Sequence, residues 1–440
     1  MRILLVQTPT SHFGTGERVY PLGLARLASL VSYPHTKLAL DMNLLPDPWP
    51  ELKKKLLEFR PDMVALSFRN LDPLGGHQVS YLSSLKTSAR LIRRLLPNTR
   101  IWAGGPAFTL FGKRLMEEVP ELDGGLIGEG EAIFPRLLST SVVPGDIPGL
   151  IYRSKGDVKK NTSRLAMMMD ELPHLDIDAF SPKAYMKGNN YVAVMGIEGK
   201  RGCDLHCAYC LYPALGGRKM RLRSPRLIVD EMEFLYKDYG LTLFHFTDSV
   251  VNRPKDHFEA VCQEILNRRL KVTWTGFFRE DTLTERSLDL AINAGLIAIY
   301  FSADALNQHG LHILKKSLSK KDILNAARIT AKYGVLTMSH FLINLPGETS
   351  LDQKESLELL EQILAIHEPV GNLGAIIFNN IRLYPCAPLT RKIMNEGLID
   401  PETDLLYPFY YNPPRFAHVL HEMEALCHEA GVFSRLKISD

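Results

Sequence analysis

The chain has 440 residues, of which 45% are hydrophobic and 23% charged, so it has room for two or three domains with full cores. A net charge of +3 is too small to favour a nucleic-acid partner. No apolar run reaches the ~18 residues of a membrane span. The short apolar run Ile3–Val6 fits a buried strand better than a signal peptide. We therefore expect a cytoplasmic protein with no membrane span and no nucleic-acid partner.

Residues 1–140 alternate short strand-like runs with amphipathic stretches, which predicts a Rossmann- or flavodoxin-like parallel sheet. The expected strands are Ile3–Val6, Leu38–Met42, Met63–Phe68, Ile101–Ala103 and Gly125–Ile127, and the expected helices are Leu22–Val31, Pro50–Phe59, Ser80–Leu96 and Phe111–Val119. Ligands of such sheets bind beyond the carboxyl ends of the strands. Neither a G-x-G-x-x-G sequence after the first strand nor a P-loop is present, so a nucleotide is not favoured.

The remainder of the chain divides into three predicted parts, and the whole belongs to the α/β class. Residues 141–190 form a linker with a short hairpin at Gly149–Lys160. Residues 191–385 contain six strand–helix units and predict a partial (β/α)6 TIM-like barrel. Its strands are expected at Tyr191–Ile197, Leu243–Thr247, Val272–Phe277, Ile297–Ser302, Leu336–Ile343 and Ala375–Leu383. Residues 386–440 predict a short helical tail.

Three of the six cysteines lie within eight residues, in the pattern C-x3-C-x2-C formed by Cys203, Cys207 and Cys210. A disulfide framework does not normally place three cysteines in one loop. Thiolates suit iron–sulfur clusters or zinc, but structural zinc needs four ligands. A [4Fe–4S] cluster with three cysteines keeps one iron open for a substrate. A zinc site completed by His206, and an electron-transfer cluster with a distant fourth cysteine, remain open alternatives.

Tyr209, which precedes the last cysteine, and the place of the motif after the first barrel strand complete a resemblance to the radical SAM superfamily. The resemblance implies that Cys203, Cys207 and Cys210 are catalytic residues and ligate a [4Fe–4S] cluster whose open iron chelates S-adenosylmethionine (SAM). One electron from the cluster then splits SAM into methionine and a 5′-deoxyadenosyl radical. An external donor of the flavodoxin or ferredoxin type would supply that electron.

Other stretches resemble further parts of the same family and imply contacts to SAM. The implied residues are Tyr209, Asp248, Arg279, Ser302, Asp304 and Asn344. Three of these stretches have a structural alternative: Asp248 as a helix N-cap, Arg279 in a surface ion pair with Glu280 or Asp281, and Pro346–Gly347, close to Asn344, as a simple turn. The role of Cys386, at the exit of the sixth strand, stays open.

Together with the barrel, the N-terminal domain resembles the cobalamin-binding domain of the B12-dependent radical SAM family. The matching stretches are Tyr20–Ala28, Val64–Arg69, Trp102–Pro106 and Ile127–Glu131. The resemblance implies cobalamin contacts at Thr8, Ser67, Arg69, Gly104, Gly105, Gly128, Glu129 and Gly130. Glycines at strand ends would let the backbone approach a broad corrin. A scaffold without corrin and a domain for another ligand are the alternatives.

One departure from cobalamin proteins that use a histidine ligand is the absence of a D-x-H-x-x-G motif, since Asp72 and His77 have the wrong spacing. Cobalamin is therefore expected to bind without histidine coordination. Arg69 would lie near the lower face of the corrin, where a protonated guanidinium does not easily ligate cobalt. A simple phosphate or carboxylate contact is the alternative for Arg69.

The resemblance implies a methyltransferase that acts on an unactivated carbon, or on phosphorus, of a small-molecule or natural-product intermediate, through a 5′-deoxyadenosyl radical and methylcobalamin. A cobalamin-dependent cyclase or ring-rearrangement enzyme is the first alternative. An RNA-modifying methylthiotransferase is disfavoured, because it normally needs three N-terminal cysteines and none precedes Cys203. A cluster-bearing electron carrier is the non-enzymatic alternative. Aromatic residues that could line a substrate site are Tyr384, Tyr407, Tyr410 and Tyr411.

Overall fold

The computed structural model describes residues 1–10, 18–72, 79–139, 143–161, 166–186 and 195–437. The chain divides into two compact units. Of the described residues, the first unit contains those between 1 and 72 and between 79 and 195, and the second contains those between 196 and 437. His77, and residues 191–194 of the first predicted barrel strand, lie outside the described residues.

The first unit is built on a parallel sheet with antiparallel strands at one edge. Its strands are β1 (Arg2–Gln7), β2 (Thr36–Asp41), β3 (Met63–Ser67), β4 (Arg100–Gly104), β5 (Gly124–Leu126), β6 (Leu150–Ser154) and β7 (Asp157–Lys160). Its helices are α1 (Leu22–Ser29), α2 (Trp49–Phe59), α3 (Leu82–Leu95), α4 (Pro106–Glu118) and α5 (Gly130–Leu138). In the described residues the strand order is β2-β1-β3-β4-β5-β6-β7.

The central strand β1 explains why this unit folds as a parallel sheet. Residues Ile3–Val6 are all fully buried, as expected of a strand covered on both faces. β1 pairs in parallel with β2 and β3, and β4 and β5 continue the parallel order. The carboxyl ends of these parallel strands therefore lie side by side, and we call this end of the sheet its carboxyl edge. The predicted hairpin at Gly149–Lys160 forms β6 and β7 and extends the sheet, because β6 pairs antiparallel with β5.

The second unit is built on another largely parallel sheet. Its strands are β8 (Met195–Ile197), β9 (Lys200–Arg201), β10 (Arg221–Leu222), β11 (Leu243–Phe246), β12 (Thr273–Phe278), β13 (Leu296–Asp304), β14 (Leu336–Leu342), β15 (Leu373–Asn379), β16 (Ile381–Arg382), β17 (Tyr410–Tyr411) and β18 (Phe433–Lys437). Its helices are α6 (Tyr212–Gly216), α7 (Pro225–Tyr239), α8 (Lys255–Asn267), α9 (Glu285–Asn293), α10 (Gln308–Ile313), α11 (Lys320–Tyr333), α12 (Ser350–His367), α13 (Pro388–Asn395) and α14 (Ala417–Glu429).

The main sheet of the second unit has the order β18-β15-β14-β13-β12-β11-β8 in the described residues. Neighbouring pairs from β11 through β15 are parallel. Trp274 of β12 is buried against Phe246, Phe258 and Phe278, which joins the sheet to α8. The α/β fold class, with a Rossmann-like parallel sheet followed by a barrel-type parallel sheet, is confirmed. No described helix has both the length and the apolar composition needed to cross a membrane.

The tail differs from the purely helical segment that its sequence predicts. It contains α13 and α14, but β17 pairs with β16 and β18 pairs in parallel with β15. The expected helical tail therefore holds for α13 and α14, and the short strands β17 and β18 are additions that the sequence did not indicate. The reason is physical: β18 is short, its Phe433 is 62% exposed, and its hydrogen-bond partner is a distant strand, so local sequence periodicity gives little sign of it.

Candidate cluster and cofactor sites

The cysteine loop follows β8 and is held in place by backbone contacts. The Cys203 N–H donates to the Gly217 carbonyl at 3.1 Å, and the Cys210 N–H donates to the Cys207 carbonyl at 3.3 Å. Gly202 has a φ of +86°, and a Cβ there would lie 2.4 Å from the Lys219 carbonyl oxygen. The close turn before Cys203 therefore requires glycine.

The chemistry of the three thiols fits a [4Fe–4S] cluster. Cys203, Cys207 and Cys210 form no disulfide. Burial raises the pKa of Cys210 to about 12 and also raises that of Cys207, so a bound metal would be needed to hold these groups as thiolates. In a cluster each thiolate binds its own iron, so the three sulfurs need not converge on one point.

The zinc alternative is less well matched by the same loop. In the part of the chain that the structure describes, no three Cys, His, Asp or Glu side chains are grouped to hold one metal ion. His206 is exposed, and its Nδ1 lies 2.9 Å from the Asp204 carbonyl oxygen.

Asp248, at the end of β11, is bound to the start of the cysteine loop. Its carboxylate is buried and accepts the N–H groups of Gly199 at 2.8 Å and Lys200 at 3.0 Å. Burial raises the pKa of Asp248 to about 6, against the lowering effects of Lys200 and these N–H groups. Asp248 does not cap a helix, since the next helix, α8, begins at Lys255. Its carboxylate is bound by protein groups, and its contact with SAM stays a prediction.

Lys200 and Asp248 form a buried ion pair at the start of the same loop, which we call the Lys200–Asp248 clasp. The side chain of Lys200 is 1% exposed, and its Nζ lies 3.6 Å from the Asp248 carboxylate. The ammonium donates to the carbonyls of Val250, Val251 and Arg253, at 3.0, 2.9 and 2.6 Å. The loop after β11 is thereby tied to the cysteine loop. No motif in the sequence had pointed to Lys200.

Tyr209, between the second and third cysteines, belongs to a polar group in which Asp304 and Lys316 are buried and Tyr209 and Ser302 are half-buried. The Tyr209 hydroxyl donates to Asp304. Ser302 Oγ donates to Asp304 Oδ1 at 2.7 Å, and Lys316 Nζ donates to Asp304 Oδ2 at 2.7 Å. The structure thus brings three predicted SAM residues together. Lys316 is an addition that sequence reasoning missed, since it lies in a loop without a motif.

Arg279, after β12, is buried and anchors a loop. Its guanidinium donates to the carbonyls of Lys316 at 2.7 Å and Ser317 at 3.0 Å, and its Nε lies 2.7 Å from Asp281 Oδ1. The ion pair with Asp281 agrees with the structural alternative, except that Arg279 is only 4% exposed. Pairing of Arg279 with the SAM carboxylate stays a prediction.

Glu280 and Asn344 each carry a buried oxygen without a hydrogen-bond partner among the described residues. Burial raises the pKa of Glu280 to about 7, and Lys316 opposes this rise. Asn344 follows β14 with a φ of +56°, and its Nδ2 donates to Asn412 Oδ1 at 2.5 Å. Asn380 also donates to Asn412, at 2.9 Å. The tail therefore contributes Asn412 to the carboxyl end of β14, which the sequence did not suggest.

A group of rings packs together on strands β11 to β14. His245 lies edge-on to Phe277 and Tyr300, at centroid distances of 5.9 and 5.6 Å, and Phe277 also contacts His340. The His245 Nδ1 lies 2.8 Å from the Thr275 hydroxyl. Burial lowers the pKa of His245 to about 4, so the folded barrel holds this ring neutral.

The depressed pKa of His245 predicts an acid-sensitive barrel. Since the folded pKa is about 4 and the ordinary value is 6.5, the stabilisation is present above pH 6.5 and is lost as pH falls towards 4. The expected loss is about 3 kcal/mol. Urea unfolding between pH 7.5 and 4 measures it. His245→Phe should flatten the dependence in this window, and the same substitution at the exposed His421 should not. An unchanged slope in His245→Phe would contradict the assignment.

The predicted cobalamin residues lie at the carboxyl edge of the first unit's sheet. The Thr8 N–H and hydroxyl both donate to the Ser67 carbonyl, at 3.1 and 2.8 Å. Ser67 pairs in register with Gln7 and Gly104, so the ends of β1, β3 and β4 are adjacent. Arg69 is exposed beyond β3. This placement confirms the expected strand ends and does not test corrin contact.

Glycines shape the same edge where β4 and β5 end. Gly105 has a φ of +104°, and a Cβ there would lie 2.8 Å from the Phe68 carbonyl oxygen. Gly128 has a φ of +98°, and its N–H donates to Thr109 Oγ1 at 3.1 Å. Gly130 begins α5, and Glu129 accepts the Met167 N–H at 2.9 Å. Partly exposed strand ends without side chains fit a broad planar ligand.

Gly105→Ala should therefore disturb this edge. We expect a loss of about 1–3 kcal/mol in unfolding free energy, because alanine resists the positive φ and meets the Phe68 carbonyl. Retention of added hydroxocobalamin should fall as well. Gly23→Ala is the matched control, since a Cβ there meets no atom within 4 Å. Equal stability of the two variants would contradict the strain argument.

A buried polar group beside this edge escaped sequence reasoning. Asp41 accepts the Tyr185 hydroxyl at 2.8 Å and the Asn43 N–H at 2.9 Å. Asn43 in turn donates to the Thr8 carbonyl at 3.2 Å and accepts the Thr10 N–H at 2.8 Å. The contacts fix the backbone after β1. Local sequence patterns do not reveal the contacts with Thr8, Thr10 and Tyr185, because these residues are far from Asp41 and Asn43 in the sequence.

Two family models match this chain. Residues 197–360 match the radical SAM superfamily, and residues 15–138 match the B12 binding domain. The chain belongs to the B12-binding-domain radical SAM family. It is a radical SAM enzyme whose domains imply a [4Fe–4S] cluster, SAM and cobalamin, as the sequence predicted.

Curated relatives of this radical SAM enzyme carry more than one activity. An uncharacterized methyltransferase of Pyrococcus horikoshii is 26% identical, over 82% of this chain and 78% of that protein. The cytidylyl-2-hydroxyethylphosphonate methyltransferase of Streptomyces wedmorensis is 24% identical, over 81% and 71%. The anaerobic magnesium-protoporphyrin IX monomethyl ester cyclase of Rubrivivax gelatinosus is 23% identical, over 70% and 56%.

Among solved structures, the radical SAM methyltransferase TsrM of Kitasatospora setae has the same fold. With a tryptophan substrate and a SAM analogue bound, it superposes with a TM-score of 0.80 at 21% identity, over 97% of this chain and 88% of that chain. With cobalamin and a [4Fe–4S] cluster bound, it gives a TM-score of 0.78. The two predicted folds are therefore found together in one solved protein.

Proposed function

We propose that this enzyme transfers a methyl group from SAM, with cobalamin as the carrier, to an unactivated carbon or a phosphorus atom of a small-molecule or natural-product intermediate. The observation that carries the proposal is the presence, in one chain, of a three-thiol loop and a glycine-lined sheet edge. Methyltransferase relatives that align over most of both chains support it.

The residues of the second unit would have two roles, holding the cluster and orienting SAM. Cys203, Cys207 and Cys210 would hold the cluster, which with SAM supplies the 5′-deoxyadenosyl radical. Ser302 and Asp304 would orient SAM from the end of β13, with Asp248, Arg279 and Asn344 at the neighbouring strand ends. The Lys200–Asp248 clasp holds the loop so that the thiols keep their spacing. Burial of these groups limits the access of water to a reactive radical.

The residues of the first unit would hold cobalamin at the shared strand edge. Thr8 and Ser67 fix the backbone at the ends of β1 and β3, and the glycines Gly104, Gly105, Gly128 and Gly130 leave the surface free of side chains. Glu129 fixes the segment that follows the sheet, through Met167. Arg69 would face the corrin without ligating cobalt, because a guanidinium stays protonated.

The working boundaries and partners follow from the same proposal. Residues 1–140 would form the cobalamin domain, 141–190 a linker, 191–385 the radical SAM barrel and 386–440 the tail. An external flavodoxin- or ferredoxin-type protein would donate the electron, in the cytoplasm, and no nucleic acid would take part.

Methyl-labelled SAM tests the activity without a known substrate. The full-length protein is reconstituted anaerobically with iron, sulfide and hydroxocobalamin, reduced, and incubated with the labelled SAM. We expect label in the corrin fraction and release of S-adenosylhomocysteine. Corrin that stays unlabelled, beside formation of 5′-deoxyadenosine, would contradict methyl transfer.

That second outcome would favour a cobalamin-dependent cyclase or rearrangement enzyme. The observation that keeps this candidate is the cyclase relative, which aligns over 70% of this chain. In such an enzyme, cobalamin would serve as a redox partner and would not carry a methyl group.

A further inference from the structure

The ammonium of Lys316 is buried directly beside the cysteine loop. It lies 3.4 Å from the Tyr209 hydroxyl and 5.8 Å from the centre of the Tyr209 ring. Tyr209 separates Cys207 from Cys210 in the chain. The side chain of Lys316 is 7% exposed and that of its partner Asp304 is 6% exposed, so water screens this ion pair weakly.

Short contacts fix the position of this charge. Besides Asp304, the ammonium donates to the Ser302 carbonyl at 2.5 Å. The backbone around Lys316 is held in turn, because Arg279 donates to the carbonyls of Lys316 and Ser317. The charge is therefore prearranged before a cofactor binds and does not depend on a mobile side chain.

We propose that the charges of the buried ion pair Lys316–Asp304 set the reduction potential of the cluster held by Cys203, Cys207 and Cys210. The inference rests on the proposed ligation by these three thiols. Reduction adds one negative charge to the cluster, so a nearby fixed cation favours the reduced form and a nearby anion disfavours it.

The charged groups around Lys316 support this role. Although burial alone would lower the pKa of Lys316, Asp304, Cys207 and Glu280 leave it raised, so the ammonium stays protonated. Its Nζ lies 3.4 Å from the Tyr209 hydroxyl of the cysteine loop. A buried cation in this place stabilises the extra negative charge of a reduced cluster.

Lys200 and Arg279 are buried cations of the same unit, and each is bound to backbone carbonyls and to a carboxylate. Lys200 donates to three carbonyls and pairs with Asp248, and Arg279 is bound to two carbonyls and Asp281. Lys316 contacts the tyrosine that lies between two cluster ligands. Through this contact the Lys316 ammonium lies directly against the loop that carries the proposed cluster ligands.

Redox titration followed by electron paramagnetic resonance tests the pair. The full-length protein and its variants are reconstituted with cluster and titrated without SAM. We expect Lys316→Met to disfavour reduction and Asp304→Asn to favour it. Each shift should be about tenfold in the one-electron equilibrium, which corresponds to about 59 mV in opposite directions. Lys316→Arg keeps the charge and should stay close to wild type.

The outcomes separate the possible failures. Potentials that do not move, or that move in the same direction in Lys316→Met and Asp304→Asn, would overturn the inference while cluster ligation stands. A wild-type protein that holds no cluster would overturn the proposed ligation and this inference together. If Lys316→Met does not fold, the rise expected for Asp304→Asn decides, and its absence counts against the inference.

Discussion

Replacing Cys203, Cys207 or Cys210 with alanine is expected to reduce SAM cleavage to the uncatalysed background. Each thiol would hold one iron, and a loop with two remaining thiols cannot keep a cluster in which the open iron faces SAM. The measurement is iron content together with 5′-deoxyadenosine formation after anaerobic reconstitution. Both should fall in all three variants.

Cys427→Ala is the matched control for the cysteine variants. Cys427 is fully buried in α14, and burial raises its pKa to about 12, so it is an inert thiol. This variant should keep its iron and its SAM cleavage. Full activity in any of the three loop variants would contradict the proposed ligation.

Lys200→Met is expected to destabilise the barrel unit by about 3–5 kcal/mol and to reduce cluster retention. The substitution leaves the Asp248 carboxylate buried without its cation, and breaking a buried pair from one side is costly. It also leaves the carbonyls of Val250, Val251 and Arg253 without their donor. Urea unfolding and iron content after reconstitution measure the two effects.

Two further variants control the clasp experiment. Lys332→Met removes an ammonium that pairs with Glu285 at the surface, where both side chains are at least half exposed, and should leave the unfolding midpoint unchanged. Lys200→Met combined with Asp248→Asn should recover part of the lost stability, because no uncompensated charge remains. A double variant no more stable than Lys200→Met would contradict the electrostatic explanation.

The sequence predicted the cysteine loop and the two sheets because their signals are local. Three thiols in one loop, and buried strands such as Ile3–Val6, are visible within a few residues. The glycines at strand ends were also found this way. Gly105 shows why they are needed, since its positive φ and its contact with the Phe68 carbonyl exclude a side chain.

The parts that the sequence did not predict depend on contacts between distant segments. Lys316 meets Tyr209 across more than one hundred positions of the chain, and Asn412 of the tail meets Asn344 across 68. Asp248 was predicted as a SAM contact from the family resemblance, and Arg279 from its place after a strand and the fit of a guanidinium to a carboxylate. Their partners, backbone N–H groups for Asp248 and carbonyls for Arg279, became visible only when the loops were folded. β18 was missed for the same reason.

Iron and cobalt content, measured in one sample of the full-length protein, tests most directly that a single chain holds both a cluster and a corrin. The protein is purified anaerobically, reconstituted with iron, sulfide and hydroxocobalamin, and freed of unbound cofactor before metal analysis. We predict iron and cobalt in a ratio of about four to one, with the absorption of both cofactors. Retained iron without cobalt would contradict cobalamin as the methyl carrier.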